Sequence, residues 1–151
     1  CGDASASVGA LQGTRVSSYH GIDLSAPALA TAREQVMLLP CAATLEQARA
    51  EIAPRVAVAT RILGVRSTGL TIRNQRTRWG SCSATGALSF NWRLLLAPED
   101  VLDYVVWHEC CHLVHLDHSA RYWALVAEHV PGHREQAAWL RDHGSTLVLP
   151  A

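Results

Sequence analysis

Apolar residues recur along this chain with two different periods. From Thr44 onward, Leu45, Ala48 and Ile52 fall three and four residues apart, as on one face of a helix. Thr44 and Gln47 have the spacing of a capping box, which satisfies free amides at a helix start. Pro54 has no amide to donate and is expected to break or kink that helix. A second helical stretch with Val56, Ala59 and Leu63 should close at Gly64. The period then changes to two. Leu70-Thr71-Ile72-Arg73-Asn74 and Ala87-Leu88-Ser89-Phe90-Asn91-Trp92 alternate as strands do, and Ala84-Thr85-Gly86 is a turn signal, so an antiparallel hairpin is expected. Pro98, Glu99 and Asp100 open a helix whose stripe is Val101, Leu102, Val105 and Val106. Ser119 caps a further helix through Trp123, Val126 and Val130, stopped by Pro131-Gly132. A last helix runs from about His133 to His143 and ends at Gly144. Helices, a small sheet and then helices again make an α+β domain over residues 44–151, with a small antiparallel sheet.

Residues 1–43 are poorly patterned. Positions 1–18 are small and polar and read as a flexible lead-in; 28–39, between Pro27 and Pro40, is a helix candidate. Position 1 is Cys rather than Met, so this segment is expected to be truncated or processed. A Cys1-Gly2 start also resembles the mature end of a bacterial lipoprotein.

Composition narrows the function classes. With 151 residues, 49% of them hydrophobic, the chain can bury a core as one domain without disulfide staples. Thirteen basic residues, all Arg, offset thirteen acidic ones, so no global field draws the chain to nucleic acid or anionic lipid. Apolar runs such as Leu94 to Ala97 are far too short to span a membrane. Five cysteines without a C-x-x-C pair argue against a secreted disulfide scaffold and for a reducing, cytoplasmic setting.

The chemistry concentrates in His108-Glu109-Cys110-Cys111-His112. Two histidines four residues apart share one helical face, one turn apart, and can hold one metal ion. Glu109 projects roughly 100° away around the axis, beside the ion without being a ligand, where a general base belongs. With eight His and seven Glu in the chain, an H-E-x-x-H arises by chance about 2% of the time. A catalytic zinc needs a third protein ligand. Candidates are His115, His118 and Glu128. His115 lies about 10 Å along the axis from His108, too far for one ion. His118 is favoured if the helix ends near His115 and the chain turns back, for which Asp117 and Ser119 are good cap residues. The H-E-x-x-H-x-x-x-x-x-H spacing also occurs in metzincins, but His115 stands where their turning Gly would be, and the only Met, Met37, is upstream.

Several separate blocks together resemble the YgjP-like metal-dependent hydrolases. They are Arg78-Trp79-Gly80-Ser81-Cys82-Ser83, Gly86-x-Leu88, Phe90-Asn91-Trp92-Arg93-Leu94, Ala97-Pro98, Val101-x-Asp103-Tyr104-Val105, His108-Glu109-x-Cys111-His112-Leu113 and His118-Ser119-x-x-Tyr122-Trp123. These bacterial zincin-like proteins are classed as metallopeptidases and are related to SprT-like and WLM-type proteases. The resemblance covers about residues 44–145; Cys110 and Tyr122 stand where Leu and Phe are common. It implies a minimal zincin fold with a small sheet beside the active-site helix. It also implies His108, His112 and His118 as metal ligands and Glu109 as catalytic base.

The leading expectation is therefore a zinc-dependent hydrolase of peptidase type acting on a peptide or small molecule. The same metal site could instead cut a nucleotide phosphoanhydride, with arginines holding phosphates. A non-enzymatic zinc or DNA-binding module is the third class, and the intact Glu109 argues against it. Around the expected hairpin, Arg73, Arg76, Arg78 and Arg93 form either an anion site or a solvated face paired with acids such as Asp103. The five Trp read as core and support, with Trp107 shielding the ligand shell. Cys82, Cys110 and Cys111 read as core. Ser89 and Asn91 could pair with an extended peptide if their strand is an edge.

Overall fold

A computed structural model describes residues 41–147; the expected lead-in over 1–18 and helix over 28–39 lie outside the described residues. Helix α1 is Cys41–Leu63 and is followed by strands β1 (Gly69–Arg73), β2 (Gly80–Cys82) and β3 (Ala87–Asn91). A 3-10 turn over Trp92–Leu96 leads into α2 (Glu99–Cys111), α3 (Ala120–His129) and α4 (His133–His143), and a 3-10 turn over Gly144–Thr146 follows.

Helix α1 departs from expectation twice. It already runs at Cys41, so Thr44 is a buried residue inside it and not its cap. It also continues through Pro54. Ala48, Ile52, Val56 and Ala59 are buried on both sides of the proline and lie on one face, while Pro54 is exposed. Burying Ile52 and Val56 is worth about 1.5–3 kcal/mol each, which offsets the roughly 3 kcal/mol that an interior proline costs. The helix ends at Gly64 (φ 67°) with the paired bonds of a Schellman cap, Val65 N to Thr60 O and Gly64 N to Arg61 O.

The sheet has the order β1-β3-β2 and is mixed. The antiparallel hairpin exists, but its partners are β2 and β3, joined by a turn in which Gly86 N donates to Ser83 O. β1 instead runs parallel to β3, in register from Gly69 with Ala87 to Arg73 with Asn91. Residues 74–86 supply the crossover of a dozen or so residues that a parallel pair requires. β3 is thus the central strand, which removes the expected role of Ser89 and Asn91 as a peptide-pairing edge.

Leu88 and Phe90 of β3 meet Val101, Leu102, Val105 and Val106 of α2 in the core, as the α2 stripe predicts. α2 is the hub, packed against α1, β2, α3 and α4. Arg55 on α1 fixes one side of it, donating to Glu99 Oε1 at 2.9 Å and Asp103 Oδ1 at 2.8 Å. Asp103 is therefore taken up by α1 and not by the arginines of the hairpin. Burial pushes the Asp103 carboxyl up by more than the Arg55 charge brings it down. At neutral pH the ionised carboxylate thus carries a net cost that Arg55 holds in check. Arg55→Ala should lower unfolding stability by about 1–3 kcal/mol in urea titrations; an unchanged midpoint would refute this pinning role.

Candidate metal centre

The end of α2 builds the site. His108 and Glu109 sit in its last turn, and His112 caps it while keeping helical dihedrals (φ −66°, ψ −19°), so the i, i+4 relation of the two histidines survives. The chain then turns at once: His115 N donates to Cys111 O and Leu113 N to Cys110 O. Asp117 Oδ1 accepts from Ser119 N, and Ser119 Oγ accepts from Tyr122 N to start α3. That reversal brings His118 back over α2. One ring nitrogen from each of His108, His112 and His118 lies within 4.8 Å of the others. Glu128 is exposed on α3 and the His115 ring stays outside this group.

The nitrogens are also oriented. His112 Nδ1–H donates to the His115 carbonyl at 3.0 Å, which leaves its Nε2 lone pair free. His108 Nε2 and His118 Nε2 are 3.4 Å apart. Two nitrogens on a tetrahedral zinc at about 2.05 Å would be separated by about 3.3 Å. Burial, together with the neighbouring His112 and His118, lowers His108 to about 4, and burial lowers His112 as well. Both imidazoles are thereby kept in the neutral form that binds metal. An all-imidazole donor set suits zinc and related transition metals and not the hard cations that prefer oxygen. The exposed side of His118 leaves the group open to solvent.

Glu109 is 6% exposed, at the wall of a cleft of about 220 Å³ that also includes His108, Tyr104 and Arg78. Burial pushes its carboxyl up to about 7, against the charge of Arg78. Gly80 of β2 lies directly against it: a Cβ there would come 2.6 Å from Glu109 Cγ and 2.7 Å from Oε1.

Tyr122 is the residue the sequence undervalued. Fully buried, it stacks on His112 (4.4 Å between centroids, 18°) and presents its ring edge-on to His108 and His118. Its hydroxyl donates to His108 O at 3.1 Å. Its signals were its place in the His118-Ser119-x-x-Tyr122-Trp123 block and its position three residues after a capping serine. Tyr122→Phe removes one hydrogen bond and keeps the stack, so it should cost about 0.5–1.5 kcal/mol of stability in thermal unfolding while retaining metal. Loss of metal from this variant would mean that the hydroxyl, not the ring, organises the site.

The tryptophan beside the histidines is Trp123, stacked on His118 (5.6 Å, 29°). Trp107, expected there, stacks on His129 instead (4.2 Å, 10°), because it falls on the α2 face turned toward Arg55 and Asp103. Cys110 and Cys111 are fully buried free thiols, pushed up by burial, and Cys82 is half-buried. Such thiols are inert packing groups.

The profile of the YgjP-like, metallopeptidase domain family matches residues 21–143. The chain belongs to this family. Its metal-dependent peptidase class follows, and the α+β arrangement with a small sheet beside the α2 helix follows the expected zincin-like plan. The fold is similar to the crystal structure of the metallopeptidase zymogen of Pyrococcus abyssi abylysin, with a TM-score of 0.52 and 23% identity. That alignment covers 62% of this chain and 93% of abylysin. Among curated proteins none is a match. No helix among the described residues is long and apolar enough to cross a membrane.

Proposed function

We propose that this YgjP-like chain is a zinc peptidase in which His108, His112 and His118 hold the ion and Glu109 is the general base. The observation that carries this is the convergence of three ring nitrogens within 4.8 Å, two of them at the separation a tetrahedral zinc requires. Zinc, when bound, supplies Lewis acidity that acidifies water and polarises a carbonyl.

The chain's own groups do the rest. Glu109 accepts a proton from the attacking water at its carboxylate and hands it to the departing amine. A carboxylate on the wall of the same cleft as His108 is placed to do both. Gly80 leaves room for that carboxylate and fixes where it lies. The His115 carbonyl keeps the His112 ring in one tautomer, and Tyr122 holds all three imidazoles by packing. Arg78 faces the same cleft and tempers the rise in Glu109.

A diverse peptide mixture incubated with the zinc-loaded protein, with new termini read by mass spectrometry, tests this. Cleavage that stops with a chelator and returns with zinc is the expected result. Intact peptides alongside hydrolysed nucleoside triphosphates would replace the peptidase reading with the phosphoanhydride one.

A further inference from the structure

A second cavity, of about 460 Å³, shares Thr77, Arg78, Trp79 and Leu140 with the cleft beside His108 and Glu109. Its size is in the range of ligand pockets. Three guanidinium groups line it, those of Arg76, Arg78 and Arg93, and no Asp or Glu does. None of the three makes an ion pair among the described residues; the acid expected to neutralise them, Asp103, is bound to Arg55. The fourth arginine of the sequence cluster, Arg73, is not on this wall.

The cavity is also built, not merely charged. Asn91 is 2% exposed, and its Nδ2 donates to Gln75 O at 2.6 Å and to Arg78 O at 3.2 Å. Its Oδ1 accepts from Arg93 N, and its own N donates to Trp79 O at 2.8 Å. One buried side chain therefore fixes the loop carrying Arg76 and Arg78 and the turn carrying Arg93. Arg93 Nε is buried without a protein partner, and the head of the side chain lies 6.0 Å from the Trp92 ring centroid at the edge of this cavity.

We propose that this Arg76–Arg78–Arg93 cavity is an anion subsite that takes a carboxylate of the substrate peptide, one step along the cleft from the metal centre. The inference rests on the peptidase reading and adds the substrate class: peptides with an acidic side chain, or the chain's terminal carboxylate, on that side of the scissile bond. Planar guanidinium forks match carboxylates in two-pronged geometry. Phosphate shares this chemistry and is told from carboxylate by the binding measurement.

The test is a binding measurement that needs no turnover. Heptapeptides carrying one Glu at successive positions, their Gln counterparts, and amidated or free C-termini are titrated by fluorescence anisotropy. The proteins are the metal-free wild type and the zinc-loaded Glu109→Gln variant. At one position the Glu peptide, or with a free terminus the Gln peptide, should bind at least about tenfold tighter than its uncharged counterpart. The two arms tell side chain from terminus. Arg93→Gln and Arg76→Gln should each reduce that preference to below about threefold. Arg76 is exposed, so its replacement decides the matter should Arg93→Gln fail to fold by circular dichroism. Equal binding of charged and uncharged peptides at every position would overturn the proposal. So would a preference that survives both arginine variants, or binding of inorganic triphosphate where no peptide binds. Absence of peptide hydrolysis with this preference intact would fault the peptidase reading alone.

Discussion

Glu109→Gln should reduce peptide hydrolysis by about 10²–10⁴-fold, the range that a positioned general base contributes. The amide keeps the shape of the carboxylate and cannot accept a proton. The same variant should bind zinc as the wild type does, because Glu109 stands outside the group of three histidines. It should also be at least as stable as the wild type in the metal-free form. Burial raises the Glu109 carboxyl from 4.5 to about 7. A folded-state value above the unfolded one means that the metal-free fold loses stability as pH rises from about 4.5 through 7, as the buried group is forced to ionise. Gln at this position removes that loss. Single-turnover kinetics with zinc analysis on the same samples checks both halves. Unchanged turnover would remove Glu109 from the chemistry, and lost zinc would make it a ligand.

Gly80→Ala should likewise lower activity while leaving the fold in place. The added Cβ meets Glu109 Cγ at 2.6 Å and Oε1 at 2.7 Å. Those atoms belong to a side chain that can swing aside, whereas Gly80 itself is pinned in β2 opposite Phe90. The strand stays and the carboxylate moves. Misplacing a catalytic group by about 1 Å costs on the order of 10²-fold, so kcat/KM should fall by about that factor with zinc affinity preserved. A melting temperature close to wild type with wild-type kcat/KM would show that Glu109 does not need this position.

What could be read in advance follows from how local each feature is. His108, Glu109 and His112 lie within one helical turn, and the apolar stripe of Val101, Leu102, Val105 and Val106 announced that helix; spacing alone was enough. His118 needed a chain reversal; of its two signals, Ser119 caps the next helix and Asp117 accepts from Ser119 N in the turn before it. The support of His112 by the His115 carbonyl was invisible, since every residue has a carbonyl and the ring drew the attention. β2 is three small residues, too short to show alternation, so the sheet was expected to be antiparallel throughout and Gly80 went unremarked. Pro54 misled because local propensity was outweighed by burial on both sides of it. The arginines were seen as a cluster, but only the fold divides them into three around a cavity and one elsewhere.

Zinc titration of the metal-free protein, with competing chelators and elemental analysis, measures the central claim. The wild type should take up one zinc per chain. His108→Ala, His112→Ala and His118→Ala should each bind it far more weakly, and His115→Ala should retain it, since its ring is not in the group and its carbonyl remains. A wild-type protein that binds no zinc, or a His118→Ala variant that binds it undiminished, would contradict a three-histidine centre.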